Sequence, residues 1–497
     1  MTIQQLILLM ENDMNKCLQF CEAHAPVKNV YDNTDSVDPL KQYEPRLHDI
    51  MDTAKRMDKV INNESGQMES LVKVARLPMP VQKKIVLTSA AFLGKPTLEA
   101  NADTDQEKNL LQVVKDTWTA NKLDYKFKTI AKITMSEKAC AELWYTKDVD
   151  ESYPEGYPLD SKMRLSMKIL ARSKGDSLYP VFDEYGNMIA FGRGYYSIDE
   201  NALKIQHFDV YTADEIFYSK QVAGSWLWAA LGPDNMLVYD GNFSSIKNPI
   251  GKIPVIYYWQ PQAEWTDVQR LIERLETKLS NLADTNDYFD SPIIKASGHT
   301  ISFSKKGESG KLLELENGAD VSYLTWDQTP AAMKMEIDEL KSSIYSYTHT
   351  PDISFEKLMG LGYFSNVALQ TLFSDAHFKA ADKEEIFGEG LQRRINLIKK
   401  AISVLDSSLS AGLSLDIKPK FNYYLPKNIT EEIDRLGTAV GAGILSKETA
   451  ITLNPLVADP ESEQQRIKDE AAKAPQPPPV VVPLKVEKAP SQSQANN

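Results

Sequence analysis

The 497-residue chain carries 56 Lys and Arg against 69 Asp and Glu, a net charge of −13, with 42% hydrophobic and 25% charged residues. That length and apolar content build a large core, about three domains by length alone, and exclude a disordered polymer or a small disulfide scaffold. The acidic balance excludes a protein that coats nucleic acid with a basic surface, though not one through which DNA slides. The three cysteines, Cys17, Cys21 and Cys140, suit a reducing compartment. No run reaches the roughly 18 apolar residues of a membrane span, and the patch Leu6–Met10 is too short for a secretory leader, so a soluble protein made in a cytoplasm is expected. Apolar spacing predicts helices around 3–24, 43–62, 78–94 and 104–121, punctuated by Pro39, Pro45, Pro78 and Pro96. From about residue 138 the texture changes to short runs rich in β-branched and aromatic residues: Ala141–Thr146, Met188–Phe191, His207–Tyr211, Ile216–Tyr218 and Pro254–Trp259. Turn clusters at Asp183–Asn187 and Tyr239–Asn242 separate them, which predicts a largely antiparallel sheet.

The period then switches. Val268, Ile272, Leu275, Leu279 and Leu282 step by 4, 3, 4, 3, with charged residues between them, so a coiled-coil-like seam runs along a helix over 264–289. After Pro330, Met333, Ile337, Leu340, Ile344 and Tyr347 repeat the same steps. Between the two helices, alternation at Ile301/Phe303, Leu313/Leu315 and Val321/Tyr323 predicts a small β module, making a hairpin-shaped stalk with a knob at its tip. Each seam taken alone fits an ordinary bundle face better than an oligomer contact, and the symmetric bracketing raises the weight of the oligomer. A long helix is expected over about 365–405, bent near Gly388 and Gly390. A strand over 413–424 is expected to return to the sheet, followed by helices capped by Thr430, Ser446 and Asp459. The Pro-rich segment from about 472 reads as disordered.

Motifs for chemistry fail on inspection. Cys17, Cys21 and His24 share a helix face but match no common zinc spacing. Gly94-Lys95 is followed by Pro96 where a phosphate-binding loop needs Ser or Thr. The six histidines form no catalytic spacing, and Glu384-Glu385 and Glu431-Glu432 read as solvated faces. Tyr195-Tyr196 and Tyr423-Tyr424 each read as one core and one surface ring. No catalytic residue, cofactor or metal is expected.

The order of elements resembles the portal (connector) proteins of tailed bacteriophages. The resemblance is carried by Val86–Pro96 with its Gly-x-Pro turn, by Gly251–Ile256 leading into the first seam helix, and by Thr350–Ser354 through Ser365–Gln370. Gly443–Thr449 followed by Asp459–Glu463 completes it. Asn366 stands where family members often carry glycine. The resemblance implies an α+β portal-like fold. Its parts are a helical and β wing over 1–263 with 413–427, a two-helix stem over 264–289 and 330–348, a small β clip over 290–329, and a tunnel loop over 349–364. A long kinked spine helix over 365–412, a helical crown over 428–471 and the Pro-rich tail 472–497 follow.

It also implies a homo-oligomeric ring, commonly dodecameric, at the capsid vertex of a virion assembled in the bacterial cytoplasm. The ring conducts double-stranded DNA without reading sequence and meets terminase, a head–tail adaptor, and major capsid and scaffolding protein. The apolar residues of 350–364 either tuck into the wing core or, by the same resemblance, form a tunnel loop in which Ile353, Phe355, Lys357, Leu358 and Met359 line the channel. Lys295, Lys305, Lys306 and Lys311 concentrate charge in the clip, for an adaptor or exiting DNA. Asp284, Asp287 and Asp290 suit an acidic wall that does not grip its cargo, since each neutralised phosphate would add affinity. The competing readings are another structural virion protein, an adaptor or minor capsid protein, and more distantly a DNA-processing metalloenzyme. Adaptors are usually shorter, and the enzyme lacks a ligand cluster.

Overall fold

The computed structural model describes residues 2–24, 38–62, 68–148, 163–234, 236–289, 293–297, 300–302, 314–315, 320–324, 329–352, 366–424 and 428–473. The chain forms two compact units, Met1–Gly360 with Leu372–Leu425, and Leu361–Thr371 with Pro426–Asn497. It mixes helix and sheet, as the composition and periodicity predict.

The first unit opens with α1 (Ile3–Asn12), α2 (Met14–His24) and α3 (Pro39–Tyr43). A ribbon of β1 (Lys59–Asn62) and β2 (Met68–Val72) follows, then α4 (Val81–Phe92), β3 (Lys95–Ala100), α5 (Asp105–Ala120) and α6 (Leu123–Glu137). Two expectations are corrected here. Extended Asp13 (φ −158°) splits the first helix in two, and its carboxylate accepts the Lys16 N–H at 3.1 Å to cap the second. Residues 43–62 hold only 3-10 turns at Pro45–Leu47 and Asp49–Met51 before β1, because Pro45 pushes Glu44 into extended backbone (φ −98°, ψ 109°). The helix over 123–137 was not anticipated. It is bounded by Lys122 and Lys138, both left-handed (φ 54° and 71°), at positions where glycine would normally announce the ends.

The strands are β4 (Ala139–Asp148), β5 (Met163–Leu170), β6 (Ser177–Phe182), β7 (Met188–Ile198), β8 (Lys204–Tyr211), β9 (Glu215–Val222), β10 (Ser225–Leu231), β11 (Leu237–Asp240), β12 (Ile246–Lys247) and β13 (Val255–Trp259). A seven-stranded sheet runs β11-β10-β9-β8-β7-β6 with β12 on β9, and a three-stranded sheet runs β13-β4-β5. Every described pairing is antiparallel. Strand alternation gives the large sheet two faces. Phe208, Val210, Phe217 and Trp228 pack on Leu6, Met10, Cys17 and Cys21 of the first helices, so both thiols belong to the core. Phe191 and Tyr211 on the other face meet Leu143 and Tyr257 of the smaller sheet.

Beyond β13 come α7 (Gln269–Phe289), β14 (Ile293–Ser297), β15 (Thr300–Ser302), β16 (Glu314–Leu315), β17 (Asp320–Leu324) and α8 (Thr329–Tyr347). The strands pair as β14–β17 and β15–β16. After α9 (Asn366–Leu372), α10 (Ser374–Leu405) buries Phe387, Leu391, Ile395, Ile398 and Ile402 in the main core. The helix is interrupted at Phe373 and runs continuously through Gly388 and Gly390. Gly390 serves close packing: a Cβ there would lie 2.1 Å from Tyr258 Cε1. The returning strand β18 (Ile417–Asn422) pairs with β3 rather than with a larger sheet. Gly94 (φ +73°) is required beside it, since a Cβ would meet the Asn422 carbonyl oxygen at 1.8 Å.

The second unit contains α11 (Ile429–Gly441), α12 (Lys447–Leu453) and α13 (Pro460–Lys473). Ser446 caps α12 as expected, and Asp459 accepts the Ser462 N–H at the start of α13. The cap of α11 is Asn428, two residues before the expected Thr430.

Candidate functional site

The seam residues meet within one chain. Val268, Ile272, Leu275, Ile337 and Ile344 are buried, and Leu279, Leu282 and Leu340 pack against the same core at its margin. Arg274 and Lys278 both reach Glu336 of α8, at 2.9 and 2.7 Å. The β module at the far end of this hairpin includes Lys295 on β14. Lys305, Lys306 and Lys311 lie outside the described residues.

A polar ladder holds the other side of α7. Residues 73–80, which follow β2, run along the helix in the opposite direction. Alternate backbone N–H groups of Ala75, Leu77 and Met79 donate to Asp284 Oδ1, Ser280 Oγ and Glu276 Oε1, at 2.6, 3.0 and 2.8 Å. The match is geometric: two residues of extended chain advance about 6.6 Å and four residues of helix about 6.0 Å. Arg56 braces the ladder, donating to Asp284 Oδ2 at 2.6 Å, Asn281 Oδ1 at 2.9 Å and the Ala75 carbonyl at 2.8 Å. His48 adds a buried contact to Glu276, Nδ1 to Oε1 2.6 Å, with Nε2 on the Gln42 carbonyl at 2.7 Å. Burial by itself lowers the His48 pKa, and the hydrogen bond and charge of Glu276 outweigh it, so the imidazole titrates above its usual value. Asp284 is therefore a structural anchor, which corrects its assignment to an acidic wall. Asp287 is exposed, and Asp290 lies outside the described residues.

The end of α8 is built without glycine. His349 is left-handed (φ 51°). The Thr350 N–H donates to the Tyr345 carbonyl at 2.9 Å and the His349 N–H to that of Ser346 at 3.1 Å, a Schellman cap. Thr348 Oγ1 and Thr350 Oγ1 lie 2.9 Å apart. Lys379 of α10 donates to the Thr348 carbonyl at 2.9 Å, placing positive charge at the negative end of α8. It also pairs with buried Glu264 at 2.8 Å, and Lys383 pairs with the same carboxylate at 2.7 Å. Burial opposes ionisation of Glu264, yet the two ammonium groups hold its pKa below the ordinary carboxylate value. Burial lowers the Lys379 pKa, with Glu264 opposing. Lys84 stacks on Tyr345 at 4.1 Å and reaches Asp352 at 3.9 Å. A cleft of about 220 Å³ separates the end of α8 from the first turn of α10, lined by Ser346, Thr350, Asp352, Leu372 and Asp375. The expected channel residues Ile353, Phe355, Lys357, Leu358 and Met359 follow Asp352 and lie outside the described residues.

Farther along, α10 is fixed to the three-stranded sheet by a buried ionic centre. Arg394 and Glu142 are fully buried and paired through Nε and Nη2. Tyr258 OH donates to Glu142 Oε1 at 2.8 Å and Trp144 Nε1 to Oε2 at 3.0 Å. Glu384, expected on a solvated face, accepts a hydrogen bond from Tyr423 OH. Sequence reasoning missed the ladder, the Glu264 clamp and this centre; the one available signal was the i, i+4 recurrence of Glu276, Ser280 and Asp284 along α7.

These groups pair with one another and hold position, with Arg394 Nη1 left without a hydrogen-bond partner, and among the described residues no cluster of His, Cys, Asp and Glu has metal-ligand geometry. The arrangement defines a structural assembly subunit: a buttressed helical hairpin tipped by a β module, its base clamped to a long helix. The chain belongs to the family of phage portal proteins described as SPP1 Gp6-like, whose model matches residues 29–477. It is a virion component with a portal (connector) function, structural rather than enzymatic, that forms an oligomeric ring and assembles with other phage proteins. Among solved structures it is similar to a chain in the neck of a native gene transfer agent (GTA) particle computed with C12 symmetry (11% identity, 75% of this chain and 89% of that chain, TM-score 0.38). A chain of the native GTA virion matches with the same identity and coverage and a TM-score of 0.36. No curated protein matches in sequence.

Proposed function

We propose that the chain assembles as a dodecamer at one capsid vertex, in the cytoplasm of the bacterial host, and conducts double-stranded DNA during packaging and ejection. In this reading 264–289 and 330–348 form the stem, 290–329 the clip, 349–364 the tunnel loop and 365–412 the spine. Residues 1–263 with 413–427 form the wing, and 428–471 the crown. Terminase and later a head–tail adaptor dock at the clip, where Lys295, Lys305, Lys306 and Lys311 meet the adaptor or exiting DNA, while major capsid and scaffolding protein meet the wing. What carries the reading is the family match across 29–477. The clamp of Glu264, Lys379 and Lys383 supports it, because a loop that bears on moving DNA needs fixed ends. One Lys357 per subunit makes a belt of charge that meets phosphates without reading bases, and the net charge of −13 keeps the ring from gripping its cargo.

Negative-stain imaging of the purified chain tests the assembly: rings with a hole wide enough for duplex DNA are expected, and a monomer or compact dimer at high concentration would favour another virion component. Lys357→Glu is expected to leave rings intact and reduce DNA packaging and retention, most at low salt. Normal packaging by that variant removes Lys357 from the channel.

A further inference from the structure

The β1–β2 ribbon lacks a core of its own. Each of its side chains whose exposure is described, Lys59, Val60, Asn62, Met68, Leu71 and Val72, is exposed. Val60 pairs directly with Leu71, yet a lone two-stranded ribbon is at best marginally stable in water. Met57, two residues before β1, is 73% exposed, so the apolar surface continues past the ribbon, which the strap of residues 73–80 follows in the chain. Scattered exposed apolar residues need no explanation; a contiguous run on a ribbon does.

Helical geometry locates this surface relative to the hairpin. At about 100° per residue, Lys278, which pairs with α8, lies roughly 160° round α7 from Ser280, which faces the strap. The strap and α8 thus occupy opposite sides of α7. On α8, Ile337, Leu340 and Ile344 face inward, and Met335, Asp338 and Ser342 lie roughly 140–160° away from Leu340, all exposed. Met335 is 72% exposed. Asp338 lies within that outward strip, Lys334 and Glu339 border it at roughly 120° and 100° from Leu340, and Ala331, Ser342 and Ser346 keep it low, while Lys73, two residues after Leu71, is exposed on the ribbon side. One flank is apolar with a lysine; the other is small, centred on a methionine, with an aspartate beside it.

We propose that the outer strip of α8 in one subunit docks on the β1–β2 ribbon of the next copy of this chain, around Val60 and Leu71. The proposal rests on the ring reading and names its contact surface. Two different complementary patches on opposite flanks make a head-to-tail contact, the kind that closes into a ring when the rotation per subunit allows.

The test uses the full chain with Leu71→Cys and Met335→Cys together, treated with a short bismaleimide; the native Cys17, Cys21 and Cys140 are buried. A ladder of covalent oligomers is expected from the double variant and not from either single one. In parallel, Leu71→Asp is expected to lower ring yield about tenfold or more, with helix content and melting temperature unchanged because the site is exposed in the protomer. If the wild-type chain forms rings but the double variant gives no ladder and Leu71→Asp leaves ring yield unchanged, the surface assignment is overturned and the ring reading stands. A wild-type chain that stays monomeric overturns both.

Discussion

Glu142→Gln is a severe change for one atom pair. The two Glu142 oxygens accept only: from Arg394 Nε at 3.0 and 3.1 Å, from Arg394 Nη2, from Tyr258 OH at 2.8 Å and from Trp144 Nε1 at 3.0 Å. Glutamine keeps the shape, removes the charge, and turns one acceptor into a donor. Leaving Arg394 buried without its counter-ion costs about 3–5 kcal/mol. A donor facing Trp144 or Tyr258 adds about 1–3 kcal/mol, overlapping with the first term. Together about 4–5 kcal/mol is expected in urea unfolding followed by tryptophan fluorescence, for which Trp144 is the local reporter. Glu142→Met with Arg394→Met is expected to recover part of the loss, because no lone charge remains, though Tyr258 and Trp144 still lack their acceptor. A Glu142→Gln effect below about 1 kcal/mol would refute the reasoning by showing that water reaches Arg394.

Leu275→Asp places a charge in a seam that packs within the chain, so a loss of about 3–5 kcal/mol is expected in protomer unfolding itself, read by denaturant titration. The His48–Glu276 contact stabilises the charged imidazole, so its contribution is fully present below about pH 6.5 and is lost as pH rises through the raised His48 pKa. Melting temperature against pH is expected to show that decline and to flatten in His48→Gln. Gly388→Ala meets only ordinary contacts at 3.8 and 3.9 Å and is expected to stabilise α10 by about 0.5–1 kcal/mol. Gly390→Ala collides with Tyr258 and is expected to destabilise by about 1–3 kcal/mol, both read as melting shifts.

The parts of this fold legible in sequence are those whose residues speak locally. The 4, 3, 4, 3 steps from Val268 and from Met333 marked both hairpin helices, and β-branched runs between turn clusters marked the large sheet. What stayed hidden lacked a local signature. Lys122, Lys138 and His349 take left-handed backbone where glycine would have been read as a helix end. β3 and β18 pair across more than 300 residues of chain, and Glu142 meets Arg394 across 252. The ladder residues Glu276, Ser280 and Asp284 resemble any solvated helix face, and their partners are backbone N–H groups, which carry no side-chain pattern at all. Asp284 was misread for that reason.

The ladder also behaves as a mechanical detent. A helix sliding lengthwise against a strap would settle again after about four residues, where the next side chain of the same face comes level with each donor. On α7 those next positions are Ile272 at one end and Tyr288 at the other. Ile272 has no acceptor and sits in the core. The phenol of Tyr288 is far longer than the Asp284 carboxylate it would replace. A shift in either direction therefore loses a rung, at about 1–3 kcal/mol for each stranded N–H. There is one seat, with no second notch beside it. Axial load on α7 passes through Arg56 and the strap into the body of the first unit and is not dissipated by slippage.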